Sequence, residues 1–147
     1  VEHPAMNEAE WKERIGDLRI LVIDGEPEIH DLIDYVLREI GFIKVHKAMD
    51  GSRAWRMFHD TELTYDIILC EWILPGIDGI QLLKRIRAED PHVPFVMLSV
   101  KVTQELVTAA RELGVPAFVG KPFTAGDLRS KVETLASRIF EIQDGAA

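Results

Sequence analysis

The chain carries one cysteine, Cys70, among its 147 residues. A disulfide framework therefore has no second partner, and a thiolate zinc site lacks its ligands. No stretch approaches the roughly 18 apolar residues of a membrane span, and the polar start Val1-Glu2-His3-Pro4-Ala5-Met6 contains no signal-peptide core. Basic residues are in short supply: 17 Lys and Arg stand against 25 Asp and Glu, for a net charge of −8 and a pI near 5.1. A nucleic-acid-binding surface needs the opposite balance. Internal repeats and low-complexity tracts are missing as well. What is present is 47% hydrophobic residues, 29% charged residues and a mean hydropathy of +0.01. That is enough apolar side chain for one domain with its own core, and too much for a disordered chain. The expectation is a single acidic domain of the cytoplasm, with neither nucleic acid nor membrane among its partners.

Short apolar runs alternate with longer segments of helical period. Strands are expected at Arg19–Ile23, Phe42–Ala48, Asp66–Cys70, Pro94–Leu98 and Ala117–Val119. In the second, Lys44, His46 and Lys47 mark an edge. Pro27 opens a helix with Ile29, Ile33, Val36 and Ile40 on one face, ended by Gly41. Asp50 caps a helix to about Asp60, with Ala54, Trp55 and Phe58 inward. A further helix runs from Gly79 to about Ala88, and Thr103 caps one that carries Leu106, Ala110 and Leu113. Thr124 and Asp127 form an acidic capping box for the last helix, which buries Leu128, Val132, Leu135 and Ile139. Five strands alternating with five helices imply an α/β fold, a doubly wound parallel sheet covered on both faces. Its ligand crevice lies beyond the C-terminal strand ends. The residues there are Asp24-Gly25-Glu26, Glu71-Trp72-Ile73, Ser99-Val100-Lys101 and Gly120-Lys121-Pro122-Phe123.

The segments 20–24, 66–79 (Asp66-Ile67-Ile68-Leu69-Cys70-Glu71 through Pro75-Gly76 to Asp78-Gly79) and Lys121-Pro122-Phe123 resemble the receiver domain of two-component response regulators. The resemblance covers residues 19 to 140, in order and spacing. It implies the flavodoxin-like (βα)5 sheet with strand order 2-1-3-4-5, and a crevice that holds Mg²⁺ and an aspartate phosphoacceptor. The scaffold matches and the chemistry departs. The second of the two adjacent acids is Gly25, and the phosphoacceptor position is Glu71. The hydroxyl and the lysine are retained as Ser99 and Lys121. Val100 is larger than the usual small residue, and the aromatic switch position is Phe118. The resemblance also implies a cis peptide at Lys121–Pro122.

Phosphoryl transfer to a carboxylate is mostly positioning and charge neutralisation by the metal. With Gly25 contributing no carboxylate, the remaining Mg²⁺ ligands are Asp24, Glu71 and a carbonyl such as that of Ile73, so at best weak Mg²⁺ binding is expected and no other cofactor. Strand alternation points Glu26 away. The extra methylene of Glu71 displaces its carboxylate, and a misplacement of about 1 Å can cost about 100-fold in rate. The same longer arm points toward Lys121. Glu71 then either imitates a phosphorylated aspartate or is merely neutralised. The expected function is a stand-alone receiver-like module, not an enzyme, acting by protein–protein contact without aspartate phosphorylation. The alternative is a conventional switch that accepts phosphate from a histidine kinase with Mg²⁺. A flavin or nucleotide binder is disfavoured by the acidic Asp24-Gly25-Glu26 turn.

The five histidines are scattered without ligand spacing and are expected at the solvated surface. Cys70 is expected as a small buried hydrophobe, Trp55 in the core, and Trp72 partly exposed. Residues 1–18 form an N-terminal extension whose segment Asn7–Gly16 has a capping pattern and a Trp11/Ile15 face. This helix either packs back on the domain or serves a partner or dimer contact. Residues 19–140 form the receiver-like domain, and 141–147 a flexible tail. In the resembled family the helix after the fourth strand, the fifth strand and the last helix often form the docking face. Here it would present Lys101, Gln104, Phe118 and Phe123, together with Val107, Ala109, Glu112 and Arg129. The expected partner is a sensor kinase, a phosphotransferase or an output protein, with a homodimer as a further arrangement.

Overall fold

The computed structural model describes residues 6–60, 62–100, 102–115 and 117–145. Its elements run α1 (Glu8–Asp17), β1 (Arg19–Ile23), α2 (Pro27–Ile40), β2 (Lys44–Ala48), α3 (Gly51–His59), β3 (Ile67–Glu71), α4 (Gly79–Glu89), β4 (Phe95–Ser99), α5 (Gln104–Glu112), β5 (Ala117–Gly120) and α6 (Ala125–Gln143). The five strands form one parallel sheet in the order β2-β1-β3-β4-β5. This is the flavodoxin-like doubly wound arrangement anticipated from the alternation of elements.

Alternation along the strands divides the core in two. Ile20 and Val22 of β1 face α1, α2 and α6, whereas Leu21 and Ile23 face α3, α4 and α5. Because helices cover both faces, successive residues are all buried and the central strands read as continuous apolar runs. Side-chain caps start most helices: Asn7, Asp50, Asp78 and Thr103 each accept from the backbone N–H three residues on. Thr124 and Asp127 complete the reciprocal capping box of α6. In α2, Pro27 occupies the first turn and Glu26 stands at the N-cap without a side-chain bond.

Two boundaries differ from expectation. The second strand begins at Lys44 rather than Phe42: the Phe42 N–H still donates to Leu37 O at the end of α2, so this buried ring belongs to the connection. Helix α6 runs through Gln143 into territory expected to be a loose tail. The cause is Arg14 of α1, whose guanidinium donates to both carboxylate oxygens of Asp144 and to Gln143 Oε1, all at 3.0 Å. The same guanidinium lies 4.4 Å over the Phe140 ring, and Trp11 meets that ring edge-on at 5.3 Å. With Ile15 fully buried, α1 is part of the main core. Among the described residues no helix is long and apolar enough to cross a membrane.

Candidate functional site

The strand ends gather Asp24, Glu71, Ser99 and Lys121 into one crevice. Glu71 and Ser99 are the last residues of β3 and β4, Asp24 follows β1, and Lys121 follows β5. Asp24, Glu71 and Ser99 are all buried. The floor is set by close backbone packing. A Cβ on Gly79 would stand 2.5 Å from Glu71 O and 2.7 Å from Trp72 O, and one on Gly51 would stand 2.0 Å from Ile77 O. Only glycine admits these approaches, and they draw the 72–78 loop down between the end of β3 and the start of α3.

Lys121 is the centre of the charge distribution. Its ammonium donates to Asp24 Oδ2 at 2.5 Å and lies 3.0 Å from Glu71 Oε2 and 4.0 Å from Glu26 Oε2. The Glu71 contact is an ion pair without the alignment of a hydrogen bond, and among the described residues the buried Glu71 Oε2 has no directed donor. At 3.0 Å the gross attraction is roughly 5 kcal/mol at an effective dielectric near 20. Desolvation of both buried partners takes back much of it. Burial pushes the Glu71 carboxyl above the usual carboxylate range; the Lys121 ammonium opposes this, and the Asp24 and Glu26 charges reinforce it. Burial also works against the charged form of Lys121, but Asp24 and Glu71 outweigh it and raise the ammonium's pKa. One cation thus serves three carboxylates.

Two expectations about neighbours need correction. Glu26 does not turn away: it sits in the turn that caps α2, where strand alternation no longer applies, and its exposed arm reaches the ammonium at 4.0 Å. His30 is not a surface histidine. It is buried on α2, and its Nε2–H donates to the Asp24 backbone carbonyl at 2.7 Å, while its Nδ1 has no partner among the described residues. The Asp24 backbone N–H donates to Ala48 O and its Oδ1 accepts from the Glu26 N–H, so the acid is held from all sides. His30 was discoverable in the sequence: it shares the helical face of Ile33 and Leu37, three and seven residues on.

The other anticipated residues fall as follows. Phe118 and Phe123 are half-buried and pack against the two opposite cores. Gln104 is exposed at the start of α5, and Lys101 lies outside the described residues. Val107 and Ala109 are half-buried, while Glu112 and Arg129 are exposed. Ile73 and Val100 are exposed beside the crevice, at 71% and 69%. Trp72 is half-buried, and so is Trp55, which stacks on His59 with ring centroids 4.8 Å apart. Cys70 is fully buried, and burial pushes its thiol well up. The Lys121–Pro122 peptide is cis.

A five-stranded 2-1-3-4-5 sheet with carboxylates after β1 and β3, a hydroxyl after β4 and a lysine after β5 defines a signalling receiver. The chain belongs to the response regulator receiver domain family, which matches residues 20–133. Among its relatives, the chemotaxis protein CheY of Pseudomonas aeruginosa is 32% identical over 124 residues, 83% of this chain and 98% of the relative. CheY-3 of Vibrio cholerae is 31% identical over 125 residues, 84% of this chain and 95% of the relative. Of the solved structures, the receiver domain of the Francisella response regulator 1452 superposes with a TM-score of 0.75 at 28% identity, covering 84% of this chain and 99% of that one. A receiver domain protein from Clostridium thermocellum gives 0.76 at 25%, covering 85% and 98%. Receiver domains are signalling modules of two-component systems and act through protein partners such as kinases and effectors.

The family implies a bound Mg²⁺, and the residues present do not fit one. Such an ion needs a near-octahedral set of oxygens. Here the ammonium of Lys121 bridges the two buried carboxylates, and Gly25 adds no donor. Among the described residues no group of three or more His, Cys, Asp and Glu side chains is placed to hold a metal.

Proposed function

We propose that this receiver is a signalling interaction module that works without phosphorylation of its crevice carboxylate. The observation that carries the reading is the ammonium of Lys121 seated 2.5 Å from Asp24 and 3.0 Å from Glu71. The cation of the protein itself takes the neutralising role that phosphoryl transfer gives to a metal. Glu71 is also one methylene longer than an aspartate and is bound into this pair. Phosphotransfer then lacks both the metal and a correctly placed nucleophile. In this reading Glu71 and Lys121 hold the crevice in one fixed state, and the output goes through the face of α5, β5 and α6 around Gln104, Phe118 and Phe123, in the cytoplasm.

The test is incubation with a small acyl phosphate and Mg²⁺, followed by intact mass and hydroxylamine sensitivity. The wild-type chain is expected to stay unmodified. A single hydroxylamine-labile phosphoryl adduct formed at useful rates would establish a conventional switch instead. Converting Gly25→Asp and Glu71→Asp together is expected to raise Mg²⁺-dependent phosphorylation by about 100-fold or more. The nearest atoms to a Cβ at Gly25 are Met49 O at 3.6 Å and Pro75 Cδ at 3.7 Å, so a side chain is accommodated there. Adding Val100→Ala measures the remaining steric hindrance.

A further inference from the structure

A groove of about 870 Å³ lies at the end of the sheet opposite the crevice, where the chain turns into β4 and β5. One wall is α6 from its second turn to its end, with Lys131, Leu135, Arg138, Ile139 and Ile142; the other is the 91–94 turn with Gly114 and Arg87. Gln104, Phe118 and Phe123 do not line it, so it is separate from the docking face proposed above.

Its charge runs against that of the molecule. The chain carries a net −8, yet the groove is lined by Arg87, Lys131 and Arg138, with His92 beside them and no carboxylate among the described lining residues. Asp90, just before the turn, spends its Oδ1 on the backbone N–H groups of His92 and Val93. Arg87 is fixed as a wall by donating to the carbonyls of Asp90, Leu113 and Gly114; the nearby Asp90 carboxylate offsets part of its charge, so the positive character of the groove rests chiefly on Lys131 and Arg138. Lys131 and Arg138 are exposed. Between them runs an apolar stripe, from buried Leu135 through half-buried Ile139 to Ile142, which is 69% exposed.

We infer that this groove binds an acidic amphipathic helix of a partner protein. Lys131, Leu135, Arg138 and Ile142 succeed one another at helical spacing over about 16 Å, three turns of α6. A partner helix of similar length can lay apolar residues at i, i+3, i+4 and i+7 along the stripe. Its flanking Asp and Glu residues, two turns apart, then meet Lys131 and Arg138, which are themselves about 10 Å apart. The cations select against basic partners, and the apolar floor supplies the contact area.

The experiment pans the full chain against a displayed library of random 16-residue peptides. Enriched peptides are then titrated by fluorescence anisotropy against the wild-type chain and the double variant Lys131→Glu/Arg138→Glu. Both positions are exposed, and circular dichroism verifies that the variant is folded. The expected winners are net acidic with helical apolar spacing; they shift amide resonances of 131–142 and 91–94, and lose at least 10-fold in affinity on the double reversal. The inference is overturned by enrichment of neutral or basic sequences, by binding indifferent to the reversal, by no enrichment, or by a homodimer that buries the same groove. None of these outcomes depends on whether the crevice takes phosphate.

Discussion

The two ends of the sheet solve opposite problems. At the strand starts, α1 closes the fold with Trp11, Ile15 and Leu18 set among Ile40, Phe42 and Phe140, and the polar group there, Arg14, stays at the rim with its carboxylate partner. At the strand ends, the buried groups are Asp24, Glu71, Ser99 and His30, and one ammonium must serve three carboxylates. The first end is built for stability, since its burial is mainly apolar and, among the described residues, the Arg19 Nε is the orphaned polar atom at the strand starts. The second retains charges whose burial is costly and whose pairing is incomplete, which is how a site differs from a core.

This contrast can be broken from either side. The largest effect is expected from Trp11→Ala, which opens a cavity against Phe140 and costs about 3–5 kcal/mol in urea unfolding, independent of pH. Lys121→Met is expected to cost about 3 kcal/mol near neutral pH, because it strands two buried carboxylates; the deficit shrinks on acidification as Glu71, whose carboxyl burial already pushes up, takes up its proton. A neutral-pH stability equal to wild type would show that the ion cluster is solvated and carries no strain. His30→Leu is expected to cost about 1–2 kcal/mol, since it removes the donor to Asp24 O and one buried bond. A second readout is a change in the titration of Glu71 by carboxyl NMR, which a loss of packing alone would not produce.

Glu71→Gln sharpens the comparison with the smallest change and the opposite sign. The folded carboxyl titrates above its unfolded value, so the native state binds the extra proton. The resulting stability is full below the unfolded pKa and is lost as pH rises through the folded one. The glutamine variant is therefore expected to match or exceed wild type near neutrality, and to show a flatter stability curve from about pH 4.5 upward. A steeper curve in the variant would reverse the assignment.

Much of the architecture was legible because it is local. Caps at Asn7, Asp50, Thr103 and Thr124 and the alternation of β1 need only neighbouring residues, and the Lys121–Glu71 approach follows from strand order. What escaped depends on long-range partners. Nothing near Trp11 announces that its companion is Phe140, 129 residues away, and nothing near Gln143 announces Arg14. His30 was misread because residue type was weighed above its place on the helical face. Glu26 departs from strand alternation because it lies three residues past the end of β1, in the turn that caps α2. Phe42 is as buried as a strand residue, yet it belongs to the end of α2 through its bond to Leu37.

The clasp between Arg14 and the end of α6 has an engineering consequence. It brings positions 14 and 144 within a single side chain's reach, so the last turn of the final helix is fastened to the first helix. For the same reason, a reporter or a second domain fused after the last helix would be tethered beside the first helix, far from the crevice it is meant to report on.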